Sequence, residues 1–387
     1  MNKKELELYI HIPFCVRKCS YCDFLSAPAT EQTREAYMAA PFAEIGGRAK
    51  DYSDRTVTSI FIGGGTPSLL SGEQIGQLMD RIREQFAMAQ DAEITMEVNP
   101  GTASAEKLRN FYTAGINRLS IGMQSAQAEE LKNLGRIHDF EGFCQVYREA
   151  VEAGFTNINV DIMSGLPGQT LASYRDTLEK VLHLEPMPQH ISAYSLIVEE
   201  GTPFAAMAER GELPLPEEET ERAMYEETIE VLAKYGFHRY EISNYARDGY
   251  ECRHNVGYWI RRDYLGFGIG AASLIDNVRF QNEKSLGAYL AHPLESREEE
   301  QTLTVQDRME ETMFLGLRLT RGVSCVDFAE QYGRTVEEVY GEVIARNVAD
   351  GLLTVTERKE NQKKDRLLAL TKRGLDLSNY VMAQFLF

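Results

Sequence analysis

Between residues 8 and 197, short apolar runs take turns with helix-length amphipathic segments, and this alternation is what most constrains the fold. The runs Leu8–Pro13, Thr56–Ile62, Glu93–Val98, Arg118–Met123, Asn157–Met163 and His190–Ile197 are rich in Ile, Val, Phe or Tyr, the composition of strands. Between them Glu31–Lys50, Gly72–Phe86, Ala105–Ala114, Phe140–Ala153 and Leu171–Leu184 read as helices. Strands separated by helices build βαβ units, hence a parallel sheet with right-handed crossovers. Six strands fall short of the eight that close a barrel. The chain therefore predicts an α/β fold, a partial (β/α)6 barrel of the TIM type.

The pattern changes after Glu200. The segment GELPLPEEET leads into a helix from Glu217 to Lys234, followed by an aromatic-rich stretch from His238 to Phe280. The charged run ESREEE at 295–300 reads as a solvated boundary. Beyond it, helices at Gln306–Leu319, Cys325–Tyr332 and Val336–Asp350 precede a strand–turn–strand, the order of a small α+β winged-helix-like C-terminal domain. The expected division is thus 1–235, 236–300 and 301–387. Lys359, Lys363 and Lys364 fall at the hairpin tip, where a solvated role outweighs nucleic-acid contact, because a net charge of −18 repels a phosphate backbone. No signal-type apolar segment and no run of about 18 apolar residues is present, which points to a cytoplasmic chain. The ending NYVMAQFLF is apolar enough to touch a membrane or partner surface, but its shortness favours docking on the protein's own core.

Three of the six cysteines, Cys15, Cys19 and Cys22, are spaced C-x3-C-x2-C directly after the first strand. A [4Fe–4S] cube is held by cysteine thiolates, and a full set is four. Three thiolates leave one iron free for an external ligand. Zinc would want two pairs or a Cys/His set, and His11 has no second histidine at such spacing. Cys144, Cys252 and Cys325 stand apart and read as small hydrophobes.

Flanking segments narrow the reading. LYIHIPFC, GGGTPS at 63–68, EVNP at 97–100, IGMQS at 121–125, LGRIH at 134–138 and DIMSGLPGQT at 161–170 each follow the C-terminal end of an expected strand, where α/β barrels gather their active sites. In this order they resemble the radical S-adenosylmethionine (SAM) superfamily, in its coproporphyrinogen-oxidase-like branch. The resemblance implies the same partial barrel, a cluster on Cys15, Cys19 and Cys22, and SAM bound at the open iron. It implies cofactor contacts from Tyr9, Tyr21, Gly64, Gly65, Thr66, Glu97, Gln124, Arg136 and Asp161. The residue types suit those roles: glycines admit close backbone approach, a carboxylate can accept ribose hydroxyls, and the Arg136 fork matches a carboxylate.

Two features separate this chain from the decarboxylating enzymes of the branch. Those carry a further cysteine two residues after the third cluster cysteine, where this chain has Phe24, and a long segment before the cluster, where this chain has fourteen residues. The stretch HNVGYW, with the chain's one Trp, fits the H-N-x-x-Y-W motif of the branch's heme chaperones. His254 is expected in a loop as an axial heme ligand, with Asn255, Tyr258 and Trp259 beside the porphyrin. The expected function is heme binding and delivery to an apo-hemoprotein, with cluster-linked homodimerisation and transient contact at the inner face of the membrane. The alternative is oxygen-independent coproporphyrinogen III oxidation. A winged-helix regulator with a cluster sensor is remote.

Overall fold

The computed structural model describes residues 3–360 and 363–387. Six strands, β1 (Lys4–Ile12), β2 (Arg55–Gly64), β3 (Ala87–Val98), β4 (Arg118–Gln124), β5 (Ile158–Ser164) and β6 (His190–Ser195), lie side by side in chain order, every pair parallel. Between them run α1 (Glu31–Arg48), α2 (Gly72–Gln85), α3 (Ala105–Thr113), α4 (Ala128–Leu134), α5 (Phe140–Ala153) and α6 (Leu171–Leu182). These helices bury one stripe each. In α2 it is Ile75, Leu78, Met79 and Ile82, the i, i+3, i+4, i+7 spacing of an amphipathic helix. Side-chain caps fix several starts: Ser71 and Gln74 form a reciprocal capping box on α2, and Thr170 and Ser173 another on α6.

The six expected strands and the partial barrel are all found. Every residue of β4 is buried, yet its two faces differ. Leu119, Ile121 and Met123 join the hydrophobic core, while Arg118, Ser120, Gly122 and Gln124 line a cavity. A strand buried on both sides with polar residues at every second position marks a barrel whose interior is built to hold something.

The sheet continues past both flanks. After α7 (Pro203–Glu209), α8 (Glu218–Lys234) and β7 (His238–Arg239), β8 (Asn244–Ala246) adds antiparallel to β6, and β7 pairs antiparallel to β8 at the edge. The helix α9 (Arg253–Trp259) follows. Then β9 (Tyr264–Phe267) returns to pair parallel with β1, and β10 (Ala272–Ile275), β11 (Val278–Asn282) and, after α10 (Leu286–Ala291), β12 (Arg297–Thr302) continue antiparallel. The order is β12-β11-β10-β9-β1-β2-β3-β4-β5-β6-β8-β7, so the sheet is open between its two edges. The seventh parallel strand, β9, is absent from the sequence reading because four residues are too short to show a period. The ESREEE run is solvated as expected over most of its length, which forms part of the edge strand β12, exposed at all six positions. Charge on an edge strand discourages pairing with another chain.

In the C-terminal unit, α11 (Val305–Gly316), α12 (Cys325–Tyr332) and α13 (Val336–Ala349) pack against β13 (Val323–Ser324), β14 (Leu353–Glu360) and β15 (Lys363–Leu370), ordered β13-β15-β14. This is the winged-helix-like arrangement expected. It has its own core of Met313, Leu317, Phe328, Tyr340, Leu368 and Phe385. Val381, Met382 and Phe385 dock the chain end into that core, while Leu386 and Phe387 stay exposed. The hairpin tip and the side chains of Lys359 and Lys363 lie outside the described residues; Lys364 is exposed. Among the described residues no helix is long and apolar enough to cross a membrane.

Candidate functional site

The cysteine loop leaves β1 and crosses the C-terminal end of the barrel. Its ends are drawn together by a brief parallel pairing of Phe14 with Ala27 and Cys15 with Pro28. Its middle is fastened to the LGRIH segment: Ser20 N–H donates to the Leu134 carbonyl at 3.0 Å, and Arg17 Nη2 donates to the Gly135 carbonyl at 2.6 Å. The three thiols are free and partly exposed. Thr66 Oγ1 approaches Cys15 Sγ at 3.5 Å, and Arg136 Nη1 approaches Cys19 Sγ at 3.8 Å. Donors aimed at sulfur are the surroundings a thiolate-held cluster uses to tune its potential. Among the described residues no three His, Cys, Asp or Glu groups converge to hold a single metal ion.

Behind the loop lies a cavity of about 360 Å³, lined by all three cysteines and by Tyr21, Gly64, Gly65, Thr66, Glu97, Gln124, Arg136 and Asp161. Eight of the nine expected cofactor contacts thus meet at one place. The ninth, Tyr9, lines a neighbouring cavity instead. The GGGT turn works through close approach. Gly65 N–H donates to the Ile12 carbonyl at 2.8 Å, and a Cβ at Gly65 would stand 2.7 Å from the Phe14 carbonyl oxygen. Gly64, at φ +112°, leaves room for the His11 ring and donates its N–H to Glu97 Oε2 at 2.9 Å.

Electrostatics in the cavity are set by burial. Burial, then the nearby Asp161, push the Glu97 carboxyl up to about 8, against the opposing Gly64 N–H. Burial also raises Asp161, although it accepts from Ser120 Oγ at 3.0 Å and Asn159 Nδ2 at 2.8 Å. Arg136 donates Nη2 to the Gly122 carbonyl at 2.7 Å, while its Nε is buried with no partner. A buried orphan donor of a guanidinium beside three thiols suits a carboxylate ligand. The donor set therefore fits both a cluster and an amino-acid-bearing cofactor.

The H-N-x-x-Y-W residues diverge. The loop expected for His254 is a correction: it lies in the first turn of α9, only 1% exposed. Glu93 on β3 causes this, accepting the backbone N–H of Arg253 and of His254 at 3.1 Å each, so that it caps the helix from another strand. His254 Nδ1 pairs with Ser59 Oγ at 2.8 Å and Nε2 with the Tyr258 hydroxyl at 3.1 Å. Its ring stacks on Phe61. Burial, then Arg118 and Arg262, hold its pKa down at about 3. As folded, neither nitrogen is open to iron. Asn255 borders the cysteine cavity, Tyr258 borders the neighbouring one, and Trp259 turns toward the C-terminal unit under the Arg318 guanidinium.

Sequence reasoning missed Arg118, Asn159, Ser192 and Tyr194, which also line the cysteine cavity. The available signal was register: they sit two residues from one another or from Ser120, Asp161 and His190, on the polar face of buried strands.

Comparison with known proteins agrees with this geometry. The family profile of the Radical SAM superfamily matches residues 9–181, and that of the HemN C-terminal domain matches 303–377. The heme chaperone HemW of Bacillus subtilis is 38% identical over 385 residues, covering 98% of both chains. That of Escherichia coli is 37% identical, covering 90% of this chain and 92% of its own. The solved structure of the E. coli coproporphyrinogen III oxidase HemN, a radical SAM enzyme, superposes with a TM-score of 0.83 at 27% identity over 99% of this chain and 90% of its own.

Proposed function

Because the chain belongs to the heme chaperone HemW family of radical SAM proteins, we propose that it binds heme and hands it to an apo-hemoprotein acceptor. The observation that carries this reading is similarity to heme chaperones along essentially the whole chain, so that the barrel, the α9 motif and the winged-helix-like unit are matched together. The family implies a [4Fe–4S] cluster and SAM. Cys15, Cys19 and Cys22 would hold the cluster, which supplies one-electron reduction of SAM when both are bound. Around it this chain's residues orient and exclude. Thr66 and Arg136 donate toward cysteine sulfurs, the unpaired Arg136 Nε would be available to the cofactor's carboxylate, and Tyr21 and Gln124 wall the cavity. Glu97, whose carboxyl burial and then Asp161 push up to about 8, would face the ribose hydroxyls. Asp161, Gly64 and Gly65 complete the wall, and Tyr9 acts from the adjoining cavity.

Heme recognition falls to the α9 motif, His254 with Asn255, Tyr258 and Trp259. For His254 itself to ligate iron, its pairing with Ser59 or Tyr258 must open. The acceptor would be a respiratory hemoprotein, reached in the cytoplasm by contact at the inner membrane face, with a homodimer forming once the cluster is loaded.

A second reading, coproporphyrinogen III oxidation, is favoured by the HemN superposition. Phe24 replaces the extra cysteine of that enzyme class and opposes it. One anaerobic experiment separates the two: titrate the cluster-reconstituted protein with heme, and in parallel assay it with coproporphyrinogen III, SAM and reductant. Saturable heme binding without protoporphyrinogen supports the chaperone. Protoporphyrinogen formation at enzymatic rates reverses the ranking.

A further inference from the structure

The barrel interior has two lobes. The first is the cysteine cavity. The second, of about 420 Å³, lies toward β1, β9 and β10, and shares Gly64, Glu97 and Phe24 with the first. Of the expected cofactor contacts, Tyr9, Gly64 and Glu97 line it. Its walls are aromatic and aliphatic, with Tyr9, Tyr258, Tyr264 and Leu25 presenting flat or branched surfaces. Among the described residues, His11 is the one histidine lining either lobe.

We propose, building on the heme-chaperone reading, that the heme cargo seats in this second lobe with His11 Nε2 as its axial iron ligand. The His11 ring stands over Gly64, where a Cβ would come within 2.5 Å of it, so that the ring's position depends on that glycine. Its Nδ1 faces the Tyr9 hydroxyl at 2.9 Å, and its Nε2 faces the Leu25 carbonyl at 2.9 Å. Metal-ligating histidines pair their second nitrogen with a fixed partner, which sets the tautomer. Tyr9 supplies that partner here. As folded, Nε2–H donates to the Leu25 carbonyl and Nδ1 accepts from the Tyr9 hydroxyl; ligation requires the proton to move to Nδ1, which then donates to the phenol oxygen and leaves Nε2 its lone pair. The bond given up is to Leu25, in the exposed end of the cysteine loop, beside Phe24 at 59% exposure. The Leu25 partner lies on a partly exposed loop and the Tyr9 partner on a barrel strand, so the bond to Leu25 is the one that ligation would break. Two exposed cations stand next to lining residues: Lys18, whose Nζ donates to the Phe24 carbonyl, and Lys284, whose side chain packs near Gly270.

This assigns the H-N-x-x-Y-W helix a different part. His254 lines neither lobe, but its Nε2 holds the Tyr258 hydroxyl, and Tyr258 is a wall of the second lobe. His254 is then a positioning residue that acts through Tyr258, and the motif serves heme without ligating it.

The test is an anaerobic titration of the full-length, cluster-reconstituted protein with ferric heme, followed in the Soret region. Wild type is compared with His11→Ala, His11→Gln and His254→Ala, each also with added imidazole. His11→Gln keeps a partner for the Leu25 carbonyl, so that loss of ligation is separated from loss of fold. The expected result is a ligated band in wild type, lost in both His11 variants with affinity down ten-fold or more. Free imidazole should restore the band in His11→Ala. In His254→Ala affinity should drop but the band should keep its wild-type position. Unchanged spectra in the His11 variants, or loss of the ligated band in His254→Ala alone, would overturn the assignment while leaving the chaperone reading in place. No saturable binding by wild type would sink the chaperone reading itself.

Discussion

Gly65 shows how little tolerance there is beside the cysteine loop. An alanine there sets a methyl against the backbone N and O of Phe14, the residue before Cys15. Overpacking of this kind costs about 1–3 kcal/mol, relieved most easily by moving the loop. Gly65→Ala should therefore lose most of its reconstituted iron while its melting point falls by only a few degrees; full iron content would show that the loop does not depend on this contact. His254 makes a second residue-scale prediction. Its pKa of about 3 lies below the ordinary histidine value near 6.5, because burial and two arginines disfavour the cation. A folded-state pKa that is depressed gives stability present above 6.5, and that stability declines as pH falls toward 3. Between pH 7.5 and pH 5 this site alone should remove about 2 kcal/mol of stability. His254→Gln, which cannot ionise, should lose correspondingly less across that interval in urea unfolding of the apo-protein. Parallel losses in both proteins would mean that another group governs the acid limb.

At the scale of elements, α9 is the instructive case. RHNVGYW has seven residues, a glycine at the fifth and five positions of modest helix propensity, so nothing local announces a helix. It forms because Glu93, some 160 residues earlier in the chain, accepts its first two N–H groups and also faces the Cys252 thiol at 3.5 Å. Glu93→Gln leaves one acceptor oxygen where two now serve. It should destabilise the fold by about 1–3 kcal/mol, read by thermal melting, with iron loading unchanged; an unaltered melting point would dismiss the cap. This also explains what was legible in advance. The six long strands and the C-x3-C-x2-C loop are visible because their information is local: period, composition and spacing. Tyr194 and Arg118 are legible only as period-2 neighbours of Ser192 and Ser120, whereas His254 is turned inward by a distant carboxylate. Tertiary placement of this kind leaves no mark on the segment it controls.

For the whole molecule, the question is why a barrel with its site at one end carries a winged-helix-like unit. The contact between them runs through α9. Arg261, just beyond that helix and at φ +56°, donates to Glu311 of α11 at 2.8 Å, and Arg279 of β11 reaches the same carboxylate at 2.7 Å. The Arg261 and Glu311 side chains are almost wholly buried. Trp259 lies under Arg318 of the C-terminal unit. One end of α9 is thus held by the barrel through Glu93 and the other by the C-terminal unit through Glu311, with the Tyr258 wall of the second lobe between them. Removing one partner of a buried pair strands the other charge, at a cost of about 3–5 kcal/mol. Glu311→Ala should therefore lower the denaturation midpoint and loosen the seat of Tyr258. Heme affinity should fall, while cluster loading through Cys15, Cys19 and Cys22, on a loop anchored to Leu134 and Gly135, should hold. If heme affinity and iron content fell together, the damage would be global and the unit would be a fold stabiliser alone. If heme affinity did not change, the coupling through α9 would be absent. A selective loss of heme binding would identify the C-terminal unit as the brace of the second lobe.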